Sequence, residues 1–181
     1  MSYLLIILLT IYVSTRSNLM YENITGVASL PQYRFLVIMY ISGLALFFAY
    51  KMTQLYNTLP VSNKYKSIIL LTAIIMIIGA FSPYSLNGTD FYSKAHVYCS
   101  MTGCILFLIL LWIFTRYLSL YKTDIYIKIH WFYDLGLQFL MIFTLVMTRI
   151  NGIIEILYAI LVCGYLFMIE NSFRLTHNKY I

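Results

Sequence analysis

Three groups of polar residues stand out in a chain that is otherwise mostly apolar. The first lies in the central stretch from Pro83 to Cys104, the densest run of polar, small and turn-forming residues. There His96, Ser100, Gly103 and Cys104, continued by Phe107 and Leu111, recur every three or four residues, so on a helix they share one face. That face is small and polar at one end and apolar farther on, with Asp90 and Lys94 just ahead of it. One reading is a ligand-binding crevice with the His96 imidazole as its titratable group. The other is a helix-packing face, small residues allowing close approach and His96 hydrogen-bonded at the boundary.

The second group is His130, Asp134 and Gln138, spaced i, i+4, i+8, with Met141 and Leu145 extending the stripe. A His–Asp pair one turn apart would serve as a polar relay for protons. The alternative is anchoring: His130-Trp131-Phe132-Tyr133 reads as an aromatic belt, and an acid about one turn into a helix suits the dipole. The third group, Arg149 and Glu155, brackets a tight turn and suggests a structural ion pair contributing about 1 kcal/mol or less. Glu170 and Arg174, at i and i+4, suggest a second such pair.

No nucleophile elbow, HExxH, P-loop or dinucleotide fingerprint occurs. Asp90, His96 and Ser100 are triad residue types, but no oxyanion donor accompanies them. Cys99, Cys104 and Cys163 fall in apolar runs without metal-ligating spacing, and suit packing. No catalytic residue, metal or cofactor is therefore assigned.

The elements that position these groups follow from composition. The 181 residues are 62% hydrophobic and 10% charged, with a mean hydropathy of +0.84. A soluble fold of this size could not hide so much apolar side chain, so lipid is the expected solvent and partner, with another membrane protein or a second copy as the other partner class. The net charge of +6 is spread between apolar runs and forms no basic stripe, which argues against nucleic acid. The 18 Tyr suit the membrane–water boundary.

Continuous apolar runs predict an all-α, polytopic transmembrane bundle of six helices in a single domain, over about 2–20, 33–52, 66–81, 96–117, 130–148 and 152–170. The first is the shortest, and an interfacial helix is its alternative. Pro31 suits a helix start, and Asn-Gly at 87–88 and 151–152 suits turns. Lys51, Lys64, Lys66, Arg116, Lys122, Lys128, Arg174 and Lys179 fall on one side, and Arg16, Arg34, Lys94 and Arg149 on the other. This bias predicts that both termini are cytoplasmic and that the Pro83–Ala95 connection faces outside; with a first segment that does not span, the N-terminus moves outside and the rest keeps its orientation. Two glycosylation tripeptides, at Asn23 and Asn87, lie on that outer side. Ser42-Gly43 to Phe47 echoes Thr102-Gly103 to Phe107, a pattern for close helix approach.

The topology, together with Phe81-Ser82-Pro83-Tyr84 followed by Ser93-Lys94-Ala95-His96 at the head of the fourth helix, resembles small bacterial membrane proteins of the DUF type related to the DRAM/Sfk group. The resemblance implies a six-helix protein of the bacterial cytoplasmic membrane, matches His96 to a histidine at that helix start, and implies no particular reaction. Three functions are expected in turn. The first is a non-enzymatic membrane protein that binds a lipid or small apolar ligand or assists a partner membrane protein. The second is a small substrate-binding component of a transporter, and the third an intramembrane enzyme using His96 with Asp90 or His130 with Asp134.

Overall fold

The computed structural model describes residues 2–85 and 88–177. The Asn87 half of the expected turn, the Asn87 tripeptide and Lys179 lie outside the described residues; Gly88 has the positive φ of 62° that a turn glycine supplies. The protein is an all-α helix bundle, with no strand among the described residues. Its helices are α1 (Ser2–Ser14), α2 (Ile24–Ala28), α3 (Pro31–Tyr56), α4 (Lys64–Phe81), α5 (Phe91–Tyr121), α6 (Thr123–Met147) and α7 (Gly152–His177). From α3 to α7, omitting none, five are long and apolar enough to cross a membrane.

Most helices outrun their expected bounds. Hydropathy marks where side chains prefer lipid, whereas the hydrogen-bonded backbone continues into polar residues until a cap or turn ends it. Thus α5 begins at Phe91, where the Asp90 side chain accepts from Ser93 N, and α6 begins at Thr123, separated from α5 by Lys122 alone. Pro31 opens α3 as expected. Asn151-Gly152 is a cap: Asn151 Oδ1 accepts from Ile154 N at 3.1 Å, and Thr148, at φ 56°, takes the left-handed turn position. The first helix is shorter than expected and stops at Ser14, about 20 Å long, less than a bilayer core of about 30 Å. It packs along α7, and the chain after it folds into α2, which the sequence reading did not anticipate.

The helices pack as a ring, α3 on α4, α4 on α5, α5 on α6, α6 on α7 and α7 on α1, with α2 against α3. The main core joins Phe48, Met52, Phe107, Leu111, Phe114, Tyr133, Tyr165 and Ile169, all at most 1% exposed. Tyrosine does more than line the boundary. Three buried hydroxyls donate to carbonyls along α5: Tyr56 to Leu110 O at 2.7 Å, Tyr133 to Leu108 O at 2.5 Å and Tyr158 to Cys104 O at 3.2 Å. Tyr165 and Thr115 share a further hydroxyl pair. The rings of Tyr56, Tyr133 and Tyr158 fill interhelical space while their hydroxyls use the second lone pair of a helical carbonyl, so these three hydroxyls are not stranded among apolar side chains.

The expected echo between Gly43 and Gly103 has no common role. A Cβ on Gly43 would meet nothing, whereas one on Gly103 would overlap the Met76 side chain of α4.

Candidate functional site

At the end of the bundle that holds α2, the polar residues of the central stretch act as struts. Asp90 accepts from Ser93 N at 2.9 Å, Ser93 Oγ at 2.6 Å and Ser85 Oγ at 2.7 Å, capping α5 and tying the preceding loop to it. The Ser93 hydroxyl, the Ser93 amide and the Ser85 hydroxyl hold its carboxyl well below the usual carboxylate range. His96 is 1% exposed, Nδ1 against Ser82 O at 3.2 Å and Nε2 against Thr25 Oγ1 at 3.3 Å, with the Tyr84 ring 5.5 Å away. It therefore joins α5, the α4–α5 loop and α2. Ser100 lies against Gly79 and Gly103 against Met76, both on α4. At Ser100 and Gly103 this face of α5 packs on α4, and Lys94 is exposed. Asp90 and His96 share no hydrogen bond.

The expected Arg149–Glu155 ion pair does not form. The half-buried Glu155 carboxylate accepts from Ile24 N at 2.7 Å, fixing the first residue of α2, and the Arg149 guanidinium lies 4.8 Å over the Tyr21 ring. Their separation by the α6–α7 turn placed them near each other in sequence, but α2 inserts where the pair would close. Further bonds seat the 15–30 segment: Gly152 N to Glu22 O at 2.8 Å and Asn151 Nδ2 to Met20 O at 3.3 Å. Gly152 lies close against this seat: a Cβ there would come 2.8 Å from Leu19 Cδ2, a side-chain end that can shift, and 3.4 Å from Leu19 Cα.

At the opposite end the expected Glu170–Arg174 pair is replaced by Lys51–Glu170, 2.7 Å, bridging α3 and α7. It is the one salt bridge among the described residues. The Lys51 ammonium also sits 5.5 Å over the Tyr3 ring, so α1 is drawn to the same point.

The stripe on α6 stands apart from these struts. The apolar run alone predicts a helix start near His130, with Asp134 one turn in. With α6 beginning at Thr123, Asp134 lies eleven residues along, about 16 Å from one end of a helix about 37 Å long. Tyr133 and Leu140 turn inward, while Trp131, Leu135, Met141, Ile142 and Leu145 are exposed. Asp134 is half-buried and Gln138 exposed between them. Neither forms a hydrogen bond or ion pair among the described residues. His130 does not complete a relay: Nδ1 lies 2.9 Å from Tyr126 O and the ring stacks on Tyr126 at 4.5 Å. Neither expected His–Asp pair therefore converges. No group of three metal-ligating residues is found among the described residues.

Tyr21 and Glu22, which no sequence pattern singles out, line a cavity between α2 and the neighbouring turns. Their signal was weak, a single acid in a short connection. No family model matches the chain, and no curated protein or solved structure matches it either.

Proposed function

We propose that the chain is a multi-pass integral membrane protein of the bacterial cytoplasmic membrane that assists a partner membrane protein by packing against it within the bilayer. The end of the bundle that holds Lys51, with Tyr3 beside it, lies on the cytoplasmic side, by the excess of Lys and Arg there. The observation that carries the reading is the pair Asp134 and Gln138 on the open face of α6, the least buried of the five long helices.

A carboxylate at the centre of a spanning helix costs about 2.5–3.5 kcal/mol. The other carboxylates on the long helices lie nearer an end or are paired: Asp124 and Glu155 in the first turns of α6 and α7, and Glu170 in the salt bridge to Lys51. A carboxyl and a carboxamide one turn apart, left without partners on a lipid-facing surface, are relieved when a neighbouring helix brings a donor to them. A partner helix with an amide, hydroxyl or basic side chain at mid-depth fits this chemistry. Membership of a transporter as a small subunit uses the same contact and is the second reading it favours.

The test is retention of partners from gently solubilised membranes. The unaltered chain is expected to hold its partner, and Asp134→Leu to lose it by about tenfold, from interhelical hydrogen bonds of about 1–2 kcal/mol. Asp134→Asn, which keeps a hydrogen-bonding group, retains most of it. Equal retention by Asp134→Leu and the unaltered chain would overturn the proposal.

A further inference from the structure

A cavity of about 210 Å³ opens at the α2 end of the bundle, lined by Tyr21, Glu22, Asn23, Gly26, Tyr84 and Ile150. Its construction is unlike the packing seams elsewhere. Glu22 brings a carboxylate whose only side-chain partner is the Ser17 hydroxyl, with no cation at ion-pair distance among the described residues. Two tyrosine rings share the lining with it. Gly26 makes room: a Cβ there would lie 3.1 Å from Glu22 Cβ and 3.2 Å from Glu22 Oε2, so the bare backbone lets the carboxylate fold back over α2. The Arg149 guanidinium lies over the ring of Tyr21, one of the lining residues.

An acid beside aromatic rings is the chemistry that recognises an organic ammonium, the rings through their negative faces and the carboxylate through its charge. A guanidinium next to it suits a phosphate, which it meets as a fork of donors. An acid in the lining and a guanidinium over one of its rings match a zwitterion of ammonium and phosphate. The cavity also lies at the right depth. All six lining residues belong to connections or to α2 at one end of the long helices, and exposed Tyr21, Phe81, Phe91, Tyr92 and Tyr98 surround that end as an interfacial belt. Its volume holds several water-sized groups, enough for a substituted ammonium.

We propose that the Glu22–Tyr21–Tyr84 cavity, with Arg149 over the Tyr21 ring, binds the headgroup of a zwitterionic phospholipid, phosphatidylethanolamine or phosphatidylcholine. The ammonium enters against Glu22 and the two rings, and the phosphate faces Arg149. The site shares the bilayer placement of the bundle but does not depend on the open face of α6.

The full chain is delipidated in detergent, given an equimolar mixture of phosphatidylethanolamine, phosphatidylcholine and phosphatidylglycerol, and the retained lipid is read by native mass spectrometry. The expected result is retention of the two zwitterionic lipids over phosphatidylglycerol by about tenfold, with the preference lost in Glu22→Gln. Soluble phosphocholine is expected to displace them, and glycerol phosphate, which lacks the ammonium, is not. Equal retention of all three lipids, or an unchanged preference in a folded Glu22→Gln, overturns the site. Displacement by tetramethylammonium chloride at the concentration effective for phosphocholine overturns the lipid assignment and leaves a free organic ammonium as the ligand. If Glu22→Gln loses its helical signal, the displacement series on the unaltered chain decides alone.

Discussion

Asp90 and Asp134 carry the same carboxyl into opposite settings. Asp90 sits just ahead of α5, with three donors from Ser85 and Ser93, and its pKa is depressed. Because the folded value is below the unfolded one, its stabilisation is complete above the ordinary carboxylate pKa of about 3.9 and is lost as pH falls from there through the lower folded value. Asp90→Asn removes that titration. Thermal unfolding followed in detergent from about pH 5 down to about pH 2 is expected to fall more steeply for the unaltered chain than for Asp90→Asn. Identical pH profiles would show that the cap carries no linked proton. Asp134 has no such donors, and its meaning lies in what is missing around it.

At the scale of helices, small residues matter only where another backbone comes close. A Cβ on Gly79 would lie 2.8 Å from Ser100 Oγ and 3.0 Å from Ser100 N, and the backbone of α5 cannot step aside as a side chain can. Gly79→Ala is therefore expected to cost about 1–3 kcal/mol. Gly103→Ala presses on the flexible Met76 side chain and is expected to cost less. Gly43→Ala meets open space and is expected to be neutral or stabilising by up to about 1 kcal/mol, since alanine favours helix. Thermal unfolding of the three variants checks the order, and a Gly43→Ala as damaging as Gly79→Ala would contradict the packing described for α4 and α5. The sequence shows all three as glycines in apolar runs; which one is pressed by a neighbour depends on helix rotation, which periodicity alone did not fix. The same limit explains the fate of the His96–Ser100–Gly103 face. Its shared direction was legible from spacing, but spacing does not say whether a face looks at a cavity or at α4.

For the whole molecule, the all-α class and the five long apolar helices were legible because apolar runs of that length have few other uses. The helix ends were not, because the backbone runs past the point where hydropathy turns. That difference moved Asp134 from a first turn, where the dipole would have accounted for it, to mid-helix, where nothing within the described chain does. Short α2 escaped notice as well: Asn23 read as a glycosylation tripeptide, while in the fold its side chain accepts from Gly26 N and caps a helix of five residues. Its seat depends on Glu155 and His96, residues that no local pattern links to it. The tyrosines were similarly under-read. A boundary role follows from composition, but Tyr56, Tyr133 and Tyr165 are core residues whose hydroxyls are satisfied across helices.

The proposed assistance to a partner is a claim about one helix face, and photo-cross-linking within intact membranes addresses it directly. A photoreactive phenylalanine analogue is placed at Leu145, on the Asp134 face of α6, and as a control at Leu46, exposed on α3. The expected result is a protein adduct at Leu145 that disappears when Asp134→Leu is introduced, with lipid adducts alone at Leu46. Lipid adducts alone at both positions, or a Leu145 adduct indifferent to Asp134→Leu, would contradict the account.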